Sequence, residues 1–143
     1  RVVVLNRTLQ RAQALVANLG RTTHGEGRLQ ALPLTEETLI ESARAVDLLV
    51  NATSVGMWPH AASSLWPARV PIPGSLTVFD LVYNPLETRL LRQARSSGAH
   101  AVDGLGMLVR QGALAFDMWT NQGLAVSEIA ALMRAACEQM LGR

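Results

Sequence analysis

Residues 77–111 read TVFDLVYNPLETRLLRQARSSGAHAVDGLGMLVRQ, and this stretch decides the fold. It opens on an apolar, β-branched run that reads as a buried strand over residues 78–81, its polar end at Asp80-Leu81-Val82-Tyr83. A helix signal follows over residues 85–95, with Leu90, Leu91 and Ala94 at inward spacing. Residues 100–102 form a short strand, and Asp103-Gly104-Leu105-Gly106-Met107 opens a second helix. In open parallel sheets, ligands collect at the carboxyl ends of strands. Tyr83 and the Gly104 turn are therefore expected at one crevice.

Working outward, residues 2–5 are a continuous apolar run, again a strand buried on both faces. Thr8 is placed to cap a helix whose apolar positions Leu9, Ala12, Val16 and Leu19 repeat at helical spacing, with Gly20 as its stop. Residues 21–28 read as a loop and residues 29–34 as a weak strand. Thr35-Glu36-Glu37 puts acidic side chains at the start of a helix running to Ala43, where they suit the positive end of its dipole. A strand over residues 47–50 comes next. Residues 57–75 hold Pro59, Pro67, Pro71, Pro73 and Gly74, which block regular structure and predict a surface loop. The helix from Gly104 carries Leu105, Leu108, Val109, Phe116 and Trp119 on one face and stops near Asn121-Gln122-Gly123. Ser127 is placed to cap a last helix with Ile129, Leu132, Met133, Ala136 and Met140 on one side. Strands alternating with helices predict an α/β protein with a doubly wound parallel sheet.

At 143 residues and 49% apolar composition, one domain with a real core is expected. Thirteen basic residues against 11 acidic ones, with no basic run, argue against nucleic acid as a partner. All the basic side chains are Arg, so Schiff-base and amine-relay chemistry are excluded from these residues. Cys137 is the sole cysteine, which excludes an internal disulfide or cysteine metal cluster and favours the cytoplasm. No apolar run approaches the roughly 20 residues that span a bilayer, so a membrane is not an expected partner. His24, His60 and His100 have no metal-ligand spacing. The composition leaves a homodimer open.

Asp80-Leu81-Val82-Tyr83-Asn84-Pro85-Leu86-Glu87-Thr88, followed by Asp103-Gly104-Leu105-Gly106-Met107-Leu108-Val109 and Gln111, resembles the C-terminal half of the shikimate dehydrogenases, which reduce 3-dehydroshikimate with NADPH. Asn51-Ala52-Thr53-Ser54-Val55-Gly56-Met57 and Asn6-Arg7-Thr8 match the same family in the same order. Several spaced motifs agreeing in order are far more specific than any one of them. The resemblance implies a Rossmann-like sheet whose first strand and G-x-G-x-x-G pyrophosphate turn would lie just before residue 2. Neither is in the sequence, which opens inside a strand without an initiator Met; a fragment lacking that strand and glycine-rich loop is expected, with two open strand edges.

Site residues follow from both sources. The end of the second strand of a dinucleotide fold faces the adenosine ribose, where an acidic residue selects NAD and Arg accepts the 2′-phosphate of NADP. Here stand Asn6 and Arg7, with Arg11 at the next turn, and guanidinium geometry suits a phosphate dianion. On pattern alone both arginines could equally be solvated surface residues. The family resemblance implies that they grip the phosphate together with Thr8. It also implies that Thr53 and Ser54 meet the cofactor, where a plain strand-end turn is the alternative. By the same resemblance, the Leu81 backbone touches the nicotinamide end and the Tyr83 hydroxyl contacts substrate.

Gly104 allows close backbone approach, Met107 offers a polarizable surface to a planar ring, and Gln111 lies one turn further on the same face. Capping, core packing and solvation are their structural alternatives. The resemblance assigns Gly104 to cofactor and Gln111 to substrate, shikimate or 3-dehydroshikimate. Asp80 reads as a residue bonding loop amides, not as an acid or base. A Lys and Asp pair in a separate N-terminal substrate domain serves proton transfer in the family, so the chain alone is expected to be inactive. The competing readings are a quinate/shikimate dehydrogenase of broader specificity and a non-catalytic nucleotide-binding module.

Overall fold

The computed structural model describes residues 1–22, 28–121, 123 and 125–141. Most of the expected 21–28 loop, including His24, and Gln122 at the expected helix stop lie outside the described residues. The chain forms two compact units, residues 1–47 and 48–143.

The first unit is a strand-helix-strand-helix. Strand β1 (Val2–Asn6) pairs in parallel with β2 (Leu29–Pro33), in register from Val2 opposite Leu29 to Asn6 opposite Pro33. Helix α1 (Leu9–Thr22) packs against both strands and buries Ala12. It runs through Gly20, which is not the expected stop. That glycine has none of the positive φ of a helix-ending residue, and a glycine within a helix weakens it without ending it. Helix α2 (Glu36–Ala43) starts as expected from Thr35 and the acidic Glu36 and Glu37. Thr35 Oγ1 accepts from the Thr38 amide at 3.3 Å, and Thr38 Oγ1 accepts from the Thr35 amide at 3.1 Å, a reciprocal cap.

The second unit holds a three-stranded parallel sheet in the order β3 (Leu48–Asn51), β4 (Thr77–Asp80), β5 (His100–Val102). β4 ends at Asp80, so Leu81 to Tyr83 lie beyond the strand. Helix α3 (Arg89–Ser96) buries Leu90, Leu91 and Ala94, as expected. It begins four residues later than the Pro85 signal, because Thr88 Oγ1 accepts from the Leu91 amide at 3.2 Å and fixes the first turn there.

The proline-rich segment at residues 57–75 has no regular element, but it is not merely surface: Trp66 and Ile72 belong to the core. The Trp66 indole N–H donates to the Val70 carbonyl at 2.7 Å, which satisfies its one polar atom inside the protein.

Helix α4 (Leu105–Thr120) and helix α5 (Val126–Leu141) pack together around Leu105, Val109, Ala113 and Ala130. The two expected helix faces hold in part: Leu105 and Val109 are buried, with Leu108, Ile129 and Met133 packed against them. Trp119 is 83% exposed and Phe116 is also exposed, as are Leu132 and Met140 of α5. The buried face of α4 continues from Leu105 and Val109 to Ala113, a small residue that lets α5 approach. Ser127 lies within α5 and is not its cap.

Among the described residues, β1 pairs with β2, and β3 pairs with β4, all in parallel. No described helix is long and apolar enough to cross a membrane.

Candidate cofactor and substrate site

The second unit brings most of the singled-out residues to the carboxyl ends of β3, β4 and β5. Asp80, the last residue of β4, is completely buried. Its Oδ1 accepts from the Asn51 side-chain amide at 2.9 Å and from the Val82 backbone N–H at 3.1 Å, and its Oδ2 accepts from the Thr88 hydroxyl at 2.6 Å. Asn51 ends β3, and its Oδ1 accepts from both the backbone N–H and the hydroxyl of Thr53, at 3.0 and 2.7 Å. Among the described residues, no buried side-chain polar atom lacks a partner.

This network sorts the residues of the 51–54 turn. The Thr53 hydroxyl donates to Asn51 and accepts from the Val55 amide at 3.1 Å, so it is committed to the turn. Ser54 is exposed, and among the described residues its hydroxyl has no hydrogen bond, which leaves it the freer of the two for a ligand.

The β5 side is built around Gly104. A Cβ placed there would stand 2.6 Å from the Leu81 carbonyl carbon and 2.8 Å from the Asp80 carbonyl oxygen. Its φ of −77° is open to any residue, so close approach and not backbone freedom is what requires glycine. The contact joins Gly104 directly to the Leu81 backbone. Asp103 supplies what Gly104 cannot: its Oδ1 accepts from the Leu105 and Gly106 amides at 3.0 and 3.4 Å, capping α4. Its Oδ2 receives Arg134 of α5 at 3.4 Å.

Along α4, Met107 is half-buried and Gln111, four residues on, is exposed on the same side. Met107 lines a groove of about 720 Å³ together with Phe79, Val102, Val109, Leu114 and Arg134. Tyr83 is 39% exposed, and its hydroxyl has no hydrogen bond among the described residues. A tyrosine packed into the core with its hydroxyl satisfied is therefore the poorer description.

In the first unit, Asn6 Oδ1 accepts from the Thr8 amide at 2.9 Å and shapes the corner between β1 and α1. Thr8, Arg7 and Arg11 are exposed, and among the described residues neither guanidinium is ion-paired. Two free cations at the start of one helix suit a phosphate monoester. His60 and His100 are both exposed, and the described residues contain no cluster able to hold a metal ion. The residues that sequence reading passed over are Asn51, Thr88 and Asp103. Thr88 and Asp103 carried a signal, a polar capping residue just before a helix.

Parallel strands alternating with helices, with small and polar residues gathered at the strand ends, define a protein with a Rossmann-like fold. The family model described as Shikimate 5'-dehydrogenase C-terminal domain matches residues 104–138. The NADP(+)-type shikimate dehydrogenase of Methanosarcina mazei is 44% identical over 120 residues, which is 84% of this chain and 41% of that protein. The crystal structure of the Thermus thermophilus shikimate 5-dehydrogenase, in complex with NADP(H) and shikimate, superposes with a TM-score of 0.72 at 42% identity. The match covers 94% of this chain and 46% of that one. The quinate dehydrogenase of Corynebacterium glutamicum, in complex with NAD, gives a TM-score of 0.76 at 28% identity over 92% of this chain and 45% of that one. This chain is a homologue of the shikimate dehydrogenases and corresponds to their C-terminal part. It spans less than half the length of those relatives.

Proposed function

We propose that the full-length protein carrying these residues is an NADP-dependent shikimate dehydrogenase of aromatic amino-acid biosynthesis, with this chain as its cofactor-binding part. The observation that carries the reading is the approach of Gly104 to Leu81, which unites the β4 and β5 ends where this chain's own motifs of resemblance, residues 80–88 and 103–111, lie. When bound, the nicotinamide supplies the hydride chemistry. Leu81, Gly104 and Met107 form the platform for its ring, Met107 by its soft thioether. Asn6, Arg7, Thr8 and Arg11 take the adenosine 2′-phosphate, and Thr53 and Ser54 border the cofactor, Thr53 by shaping its turn. Tyr83 and Gln111 hold the substrate through a free hydroxyl and a free amide.

These 143 residues contain no Lys. Proton transfer is assigned, on the family resemblance, to the Lys and Asp pair of a separate N-terminal domain. The single cysteine, half-buried and unpaired, is in keeping with a cytoplasmic setting.

The test is NADPH formation by the full-length protein given shikimate and NADP, compared with quinate and with NAD. Turnover fastest with shikimate and NADP is expected. Preference for quinate would favour the second reading, a quinate dehydrogenase, for which the likeness to the Corynebacterium glutamicum enzyme is the supporting observation. Absence of turnover with either acid would leave a non-catalytic nucleotide-binding module.

A further inference from the structure

We infer that Asp80 is a positioning residue that locks the 51–55 turn and the 81–83 segment into one fixed arrangement, so that the residues proposed to meet cofactor and those proposed to meet substrate are set by a single buried carboxylate. The inference rests on the proposed dehydrogenase reading for its functional consequence, and on the geometry for the lock itself.

Asp80 is fully buried and, among the described residues, has no ion-pair partner: its partners are the Asn51 amide, the Val82 backbone N–H and the Thr88 hydroxyl. A carboxylate inside a protein without a counter-ion loses its hydration, and hydrogen bonds alone offset this. The three bonds lead to three segments. Through Asn51 the carboxylate reaches Thr53, whose amide and hydroxyl both bond the same Asn51 oxygen. Through the Val82 amide it fixes the backbone between Leu81 and Tyr83. Through Thr88 it reaches the cap of α3. A backbone bond from the Leu81 amide to the Asn51 carbonyl, 3.0 Å, runs alongside. Two of the three branches end on the candidate ligand contacts, and only the third is purely structural.

Asn at position 80 keeps the shape but offers one acceptor oxygen, and the charge-assisted character of all three bonds goes. In either orientation the ligand-side branches weaken: with the oxygen on Thr88, the NH2 group faces the Asn51 amide and the Val82 N–H as donor against donors, and with the oxygen on Asn51 and Val82, both bonds lose the charge that strengthened them. The experiment compares Asp80→Asn with Thr88→Val in the full-length protein. Three quantities are read: NADP affinity by calorimetric titration, the shikimate KM, and amide hydrogen exchange at Thr53 and Val82. Asp80→Asn is expected to weaken NADP binding and raise the shikimate KM together, each by about 10-fold, the scale on which small displacements of bound groups act. It is also expected to speed exchange at both amides. Thr88→Val, which cuts only the α3 branch, is expected to lower the melting temperature by a few degrees with both constants and both amides close to wild type.

If Asp80→Asn moves the melting temperature alone, or frees one amide without the other, the lock is wrong. Should the wild-type protein bind no NADP and turn over no shikimate, the dehydrogenase reading fails instead, and the paired exchange at Thr53 and Val82 still decides the lock. If Asp80→Asn does not fold, Asn51→Ser, which removes the bridging amide, is expected to free Thr53 and leave Val82 protected.

Discussion

Gly104 lies so close to Leu81 that a single added carbon would stand 2.6 Å from the Leu81 carbonyl carbon and nearer still to its oxygen. Both obstacles are backbone at the end of a buried strand, so neither can swing aside. Gly104→Ala is expected to destabilise the protein by about 1–3 kcal/mol, the usual cost of overpacking, measured by denaturant unfolding. Gly106→Ala is the control: its nearest neighbour would be the flexible Arg134 guanidinium at 3.6 Å, and the helix gains propensity, so stability should hold or rise by up to about 1 kcal/mol. Equal losses at both positions would show that the Gly104 contact is not what limits the site.

Arg7 and Arg11 are exposed and free of ion pairs among the described residues, so removing them takes little from the fold. If they bind the 2′-phosphate, Arg7→Ala with Arg11→Ala removes charge-assisted bonds of about 1.5–3 kcal/mol each. The double variant of the full-length protein is expected to lose at least about 100-fold in NADP affinity, while NAD affinity changes by less than about 3-fold. Affinities measured by titration with the two cofactors check this, and parallel losses for both would remove the phosphate assignment.

How far such contacts could be read from sequence depended on whether one residue or an alignment of surfaces decided them. The strands at residues 2–5 and 78–81 and the start of α2 at Thr35-Glu36-Glu37 were legible because apolar runs and first-turn acidic residues act locally. The end of α1 was misread at Gly20 because glycine permits a stop without imposing one. Helix α4 was misread more instructively. The expected face began correctly at Leu105, Leu108 and Val109 but was carried on to Phe116 and Trp119; the structure continues it to Ala113, because a small residue lets α5 come close. The burial of Trp66 and Ile72 within a proline-rich segment was equally hidden, since proline forbids ladders but not core packing. At the site, the residue types were visible, and the Asp80 network joining Asn51 to Thr88 was not, because its members are 29 and eight positions from Asp80.

The same network separates two neighbours that sequence reading treated alike. Thr53→Ala removes a hydroxyl that bridges Asn51 and Val55, and is expected to cost about 1 kcal/mol of stability per hydrogen bond lost, with Thr53→Ser restoring most of it. Ser54→Ala breaks no hydrogen bond among the described residues and should leave stability within about 0.5 kcal/mol while weakening NADP binding. Denaturant unfolding and cofactor titration on the two variants test the division of roles. A stability loss at Ser54 with none at Thr53 would reverse it.

Tyr83 offers the cleanest separation of folding from binding. Its ring is partly exposed and its hydroxyl has no intramolecular partner among the described residues, so Tyr83→Phe leaves no buried group unsatisfied. Stability should stay within about 0.5 kcal/mol of wild type. A lost hydrogen bond to a substrate hydroxyl or carboxylate is worth about 0.5–3 kcal/mol, so the shikimate KM should rise by roughly 2- to 100-fold. NADP affinity should not follow, because the proposal assigns Tyr83 to the substrate and the nicotinamide ring to Leu81, Gly104 and Met107. Steady-state kinetics at saturating cofactor, paired with titration of the cofactor alone, distinguish the cases. A shift in NADP affinity with an unchanged shikimate KM would move Tyr83 from the substrate side to the cofactor side, and with it the direction in which the 81–83 segment presents its ligands.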